Sequence, residues 1–90
     1  MPETEVINVP LATAGTEYSH SLQPSVKSVI IKARNICKVR LAFIAGDTAS
    51  TYFTIERGAV FVLEGIDLTG YILYLNSDKN STVMEIVESY

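Results

Sequence analysis

Short segments rich in Val, Ile, Thr, Tyr and Phe recur along this chain roughly every 8 to 12 residues, and Gly, Asn, Asp, Ser or Pro closes each one. That rhythm constrains the fold more than any other feature, because it belongs to sandwiches and barrels. No stretch keeps a capped helical period long enough to form a substantial helix. Strands are predicted at Glu5 to Val9, Thr16 to Leu22, Val26 to Arg34, Lys38 to Ala45, Ser50 to Glu56, Ala59 to Glu64, Tyr71 to Asn76 and Thr82 to Glu88. The expected fold is all-β: one antiparallel, jelly-roll-like β-sandwich of about eight short strands.

Side chains alternate across a strand, so alternation shows which face is buried. Val29, Ile31 and Ala33 share one face against Ser28, Lys32 and Arg34, with Ile30 the exception. Val39, Leu41 and Phe43 repeat the pattern against Lys38, Arg40 and Ala42. With only Asn35-Ile36-Cys37 between them, these two strands read as a hairpin with one buried and one wetted face. Phe53 and Ile55 continue the buried face. Further on the alternation dissolves, since Ala59-Val60-Phe61-Val62-Leu63 and Tyr71-Ile72-Leu73-Tyr74-Leu75 are apolar on both faces. Such strands need cover on both sides. In a chain without helices, that cover comes from a second sheet together with a loop, an arm or a neighbouring subunit.

Turns fall at Ala45-Gly46-Asp47, Arg57-Gly58 and Ser77-Asp78-Lys79-Asn80, where the residues tolerate a positive φ or bond their own backbone. Pro10 and Pro24 sit at strand ends, where a missing N–H harms least. With no linker, internal repeat or low-complexity tract, the division is an N-terminal arm over residues 1–10, able to reach another subunit, and a sandwich domain over 11–90.

Ninety residues make one domain and one core, and a chain of this size buries only about 60% of its unfolded surface. Yet 48% of the residues are hydrophobic, 19% are charged and the mean hydropathy is +0.25. More apolar surface exists than so small a core needs, which points to association. A net charge of -3 argues against nucleic acid and anionic membranes as partners. The single cysteine, Cys37, excludes an intramolecular disulfide and fits a reducing cytoplasm. No signal peptide or membrane span is read, so the Asn80-Ser81-Thr82 sequon is taken as turn chemistry.

No catalytic, metal-binding or cofactor-binding residues are assigned. His20 is the only histidine, and its neighbours Ser19 and Ser21 point to the opposite face of a strand, so it is expected to be an ordinary half-exposed residue. Cys37 reads as a small hydrophobe, and one Cys with one His makes no structural zinc site. The seven Glu and three Asp are dispersed, and Glu85 and Glu88 read as solvated charges guarding an edge. The isolated glycines form no phosphate cradle.

A partner-contact surface has better support. Lys32, Arg34, Lys38 and Arg40 are expected on one face of the presumed hairpin, either as a solvated face or as a docking face for an acidic partner, including Glu3 and Glu5 of another copy. Among five tyrosines, Tyr52, Tyr71 and Tyr74 join this surface, since tyrosine suits subunit interfaces as well as sugar platforms.

One resemblance bears on function. The order Tyr18-Ser19-His20-Ser21-Leu22-Gln23-Pro24, Val29-Ile30-Ile31-Lys32-Ala33-Arg34, Lys38-Val39-Arg40-Leu41-Ala42-Phe43, Tyr52-Phe53-Thr54-Ile55, Leu68-Thr69-Gly70-Tyr71-Ile72-Leu73-Tyr74-Leu75 and Val83-Met84-Glu85-Ile86-Val87-Glu88 resembles small β-sandwich virion proteins of tailed bacteriophages. It spans about Tyr18 to Glu88 and rests on structural motifs. It implies a non-enzymatic capsid decoration protein, made in the host bacterial cytoplasm and added to the particle in many copies. The implied partners are itself, as a homo-oligomer such as a trimer, and other virion proteins such as the major capsid protein. Alternatives are a neck, tail or fibre accessory role, or a small receptor- or glycan-binding sandwich.

Overall fold

The structure, a computed structural model, describes residues 4–64 and 67–90. Eight strands follow one another: β1 (Thr4–Leu11), β2 (Glu17–Ser21), β3 (Ser28–Ala33), β4 (Val39–Ala42), β5 (Phe53–Ile55), β6 (Phe61–Glu64), β7 (Ile72–Ser77) and β8 (Thr82–Ser89). A single 3-10 turn, Asp47–Ala49, interrupts the series between β4 and β5. Two antiparallel four-stranded sheets result, ordered β1-β8-β3-β6 and β2-β7-β4-β5.

This order has a simple origin. The first strand pairs with the last, β2 with β7, β3 with β6 and β4 with β5, so the chain is one long antiparallel ribbon folded back at the β4–β5 end. Rolling that ribbon places alternate strand pairs in opposite sheets, which is the eight-stranded jelly roll. Further pairing of β8 with β3 and of β7 with β4 closes each sheet.

The core lies between the sheets and follows the alternation of each strand. Val29 and Ile31 from β3, Met84 and Ile86 from β8, Val39 and Leu41 from β4, and Leu73 and Leu75 from β7 are buried, with Leu11, Val26 and Leu68 closing the ends. Burial of such a side chain contributes about 1.5–3 kcal/mol, and these inward positions set which register each strand can hold.

Four expectations are corrected. First, β3 and β4 are not a hairpin: β3 pairs with β6 and β8, whereas β4 pairs with β5 and β7 in the other sheet. The Asn35-Ile36-Cys37 link carries the chain from sheet to sheet, with Cys37 buried, Ile36 exposed and the Asn35 side chain accepting a hydrogen bond from the Val83 N–H at 3.1 Å. Second, Glu88 guards no edge. It lies on β8, a central strand, in phase with the buried Thr82, Met84 and Ile86, and is itself 0% exposed. Third, His20 is not an ordinary strand histidine, because it reaches that buried carboxylate. Fourth, Phe43 and Phe53 share no closed core with Val39, Leu41 and Ile55, since they are 41% and 56% exposed at the margin of the sandwich.

From Thr4 onward the expected arm is β1, paired with β8 of the same chain over its whole length; Glu3 and the rest of the tip lie outside the described residues.

Candidate partner-contact surfaces

The seven residues assigned to a contact surface fall into three places. Lys32 and Arg34 lie on the outer side of the β1-β8-β3-β6 sheet, where both reach Glu85 of the neighbouring β8: Arg34 Nε donates to Oε2 at 2.9 Å and Lys32 Nζ lies 3.6 Å from Oε1. The Arg34 hydrogen bond, more than either charge, holds the Glu85 carboxyl below its ordinary range. These cations already have an acid, and exposed pairs of this kind contribute little to stability.

The same face carries an apolar row. Val6 registers with Val87, Val87 with Ile30 and Ile30 with Val62, so β-branched side chains cross all four strands on the solvent side. Ile30, the residue that broke the alternation in the sequence, sits in this row.

Arg40 and Tyr74 belong to the other sheet, and Lys38 and Tyr52 stand immediately before its strands β4 and β5. The Arg40 guanidinium carbon stands 4.4 Å from the Tyr52 ring centroid, and Nη1 donates to the Thr48 carbonyl at 3.2 Å. Together with Lys38, Glu56, Asn76 and Asp78 they line an open cleft of about 810 Å3. Lys38 Nζ lies 3.8 Å from Glu56, so this cation too has an acid beside it. Tyr74 registers with Ser19 on β2 and Ala42 on β4, on the outer side of the sheet.

Glu17 registers with Asn76, one of the residues lining this cleft. Its carboxylate accepts from the Gly46 N–H at 2.9 Å, the Thr48 hydroxyl at 2.7 Å and the Thr48 N–H at 3.3 Å. The Gly46 backbone bond lowers the Glu17 pKa most, with the Thr48 hydroxyl next. The start of β2 is thereby fastened to the turn between β4 and β5.

Tyr71 lies elsewhere, at the margin where β5 and β6 end their respective sheets. Phe43 meets Tyr71 edge-on at 5.8 Å, and Phe53 meets Phe61 at 5.2 Å. Phe43, Phe61, Leu63, Gly70, Tyr71 and Ile72 line an open apolar groove of about 530 Å3. The sequence placed the three phenylalanines on strands but gave no sign that they meet at a margin, because that depends on which strands end each sheet.

Inside the sandwich, Glu88 accepts from the Gln23 N–H at 3.1 Å and contacts His20 Nε2 at 2.8 Å. Ser19 and Ser21 register with Tyr74 and Ile72 on the outer face, away from this pair. Every buried polar side-chain atom among the described residues has a partner, so His20 and Glu88 form a satisfied tie between sheets. Among those residues, no three potential metal ligands converge and no helix is long and apolar enough to cross a membrane.

No protein-family model, curated protein or solved structure matches this chain.

Proposed function

We propose that the chain is a non-enzymatic structural protein of a tailed-bacteriophage virion, a capsid decoration protein that assembles as a symmetric homo-oligomer on the major capsid protein. The carrying observation is the distribution of exposed apolar side chains: Val6, Ile30 and Val62 on one sheet face, and Phe43, Ile44 and Phe53 at the margin. Apolar groups grouped in this way cost free energy in water and are relieved by contact with another surface. The virion setting rests on the sequence resemblance, and the jelly roll is a fold that also serves in capsids.

The cleft beside Tyr52 supports a second reading, a small receptor- or glycan-binding sandwich. Arg40 covers one face of that ring, leaving less aromatic surface for a sugar.

Co-sedimentation of the purified chain with tailed-phage capsids produced without it separates the two. Saturable binding that raises the heat resistance of the capsid is expected. Indifference to capsids together with glycan binding that is lost in Tyr52→Ala overturns the decoration role in favour of the second reading.

A further inference from the structure

We propose that β6 is a self-association edge: two copies pair antiparallel through this strand across a two-fold axis, making one eight-stranded sheet and covering the aromatic groove. This rests on the assembly reading above and names its partner, a second copy of the chain.

The argument begins with the two segments that are apolar on both faces. In Tyr71 to Leu75 both edges of the strand are taken, because β7 lies between β2 and β4 with Leu73 and Leu75 buried, and only Tyr71 and Ile72 reach the groove. In Ala59 to Leu63 one edge stays open, because β6 ends its sheet and pairs only with β3 among the described residues. Val60 and Val62 remain 52% and 50% exposed, and on the opposite face Phe61 and Leu63 line the open groove.

An unpaired edge offers a row of backbone donors and acceptors, and monomeric sheets blunt such edges with proline, charge or shortness. Two of the other edges are blunted in these ways: β1 carries Pro10 and Glu5, and β5 is three residues long and followed by Glu56. β2, whose acid Glu17 stands at its end as Glu64 does in β6, is polar on its outer side through Ser19 and Ser21. From Ala59 to Leu63 there is no proline and no charge.

A strand laid against this edge must be apolar on both faces, since one face continues the row Val6, Val87, Ile30, Val62 and the other faces the groove. The segment of this chain that meets the requirement and is itself unpaired is β6. Charge then sets direction. Glu64 is the sole charged residue of the strand and stands at its end. Antiparallel pairing sends the two Glu64 carboxylates to opposite ends, whereas parallel pairing sets like charges side by side. Antiparallel pairing about a two-fold axis also makes the contact self-complementary and closed.

The test is sedimentation equilibrium of the full chain, with Val62→Lys as the edge variant. Val6→Lys is the control, because it adds the same charge to the same apolar row at the far edge. A concentration-dependent dimer is expected, weakened by about tenfold or more in Val62→Lys and retained in Val6→Lys. A chain that stays monomeric, a closed trimer, or equal loss of the dimer in both variants overturns edge pairing. Should Val62→Lys fail to fold, hydrogen exchange on the unaltered chain decides: slowing of the amides of residues 61–64 with rising concentration supports the pairing, and exchange indifferent to concentration overturns it. A monomer that still co-sediments with capsids removes this inference alone, whereas a β6 dimer that ignores capsids removes the virion reading alone.

Discussion

His20 on β2 and Glu88 on β8 join the two sheets through the interior, Nε2 standing 2.8 Å from a carboxylate oxygen that is wholly out of water. Nε2 and one carboxyl oxygen share a hydrogen, while the other oxygen takes the Gln23 N–H at 3.1 Å. Removing one member of such a buried pair strands the other, whereas replacing both by apolar groups need not. His20→Ala is therefore expected to cost about 2–4 kcal/mol, and Glu88→Gln less, about 1–2 kcal/mol, because the amide still accepts from Gln23. The double variant His20→Leu with Glu88→Met is expected to be more stable than His20→Ala. Urea denaturation followed by circular dichroism checks this, and additive costs for His20 and Glu88 substitutions in a double-mutant cycle would falsify the coupling.

The same pair shows what the sequence could disclose. Strand positions were legible because alternation and turn residues are local, and Glu88 keeps the phase of Thr82, Met84 and Ile86 on β8. That phase marked Glu88 as inward-facing; treating β8 as an edge hid it. Pairing partners were not legible. Alternation states which face a residue occupies but is silent on the neighbouring strand, so a three-residue link passed for a hairpin when it was a crossover. That one error puts Lys32 and Arg34 on a common face with Lys38 and Arg40, which the structure places at the other sheet. The aromatic margin is hidden for the same reason, since Phe53 and Phe61 meet through the nested β4–β5 and β3–β6 pairings and Phe43 meets the distant Tyr71.

Acid is expected to loosen the molecule through Glu17, Asp67 and Glu85. Each is held below its ordinary range, Glu17 first by the Gly46 N–H, Asp67 by the Thr69 hydroxyl and Glu85 by the Arg34 hydrogen bond. A lowered folded value means that the unfolded chain takes up these protons more readily, so stability rises with pH across the window. The contribution is complete above the unfolded carboxyl values of about 4 and is lost as pH falls through the folded ones. Urea midpoints measured from pH 6 down to about pH 3 should fall, and more gently in Glu17→Gln, which cannot titrate at that position. Parallel slopes for the two proteins would contradict the role given to Glu17.

Gly46 is required for its backbone and not for lack of space. Its φ is 87°, and a Cβ built there meets nothing within 4 Å. Gly46→Ala is therefore expected to cost about 1–2 kcal/mol, the penalty for a left-handed L-residue, and Gly46→Asn less. Because Glu17 accepts from the Gly46 N–H, the cost should shrink in a Glu17→Gln background if strain partly displaces the turn. Thermal melts of the three single variants and the double variant decide it, and a fully tolerated alanine excludes the left-handed turn.

Cys37 supplies an internal gauge for these variants. It is the only cysteine, 1% exposed at the sheet-to-sheet crossover, with its sulfur 3.8 Å from the Thr82 hydroxyl. Val39, two residues on, is buried in the core, so the thiol should meet solvent only when the sandwich opens as a whole. Its labelling by a small thiol reagent then reports the open population, provided that reclosing outpaces reaction. On that basis His20→Ala should label faster by the factor its lost stability dictates, about 30-fold for 2 kcal/mol. Equal labelling rates in the two proteins, with the urea midpoint lowered, would instead mean that the 35–37 link frays by itself and that the His20–Glu88 tie does not govern this corner of the fold.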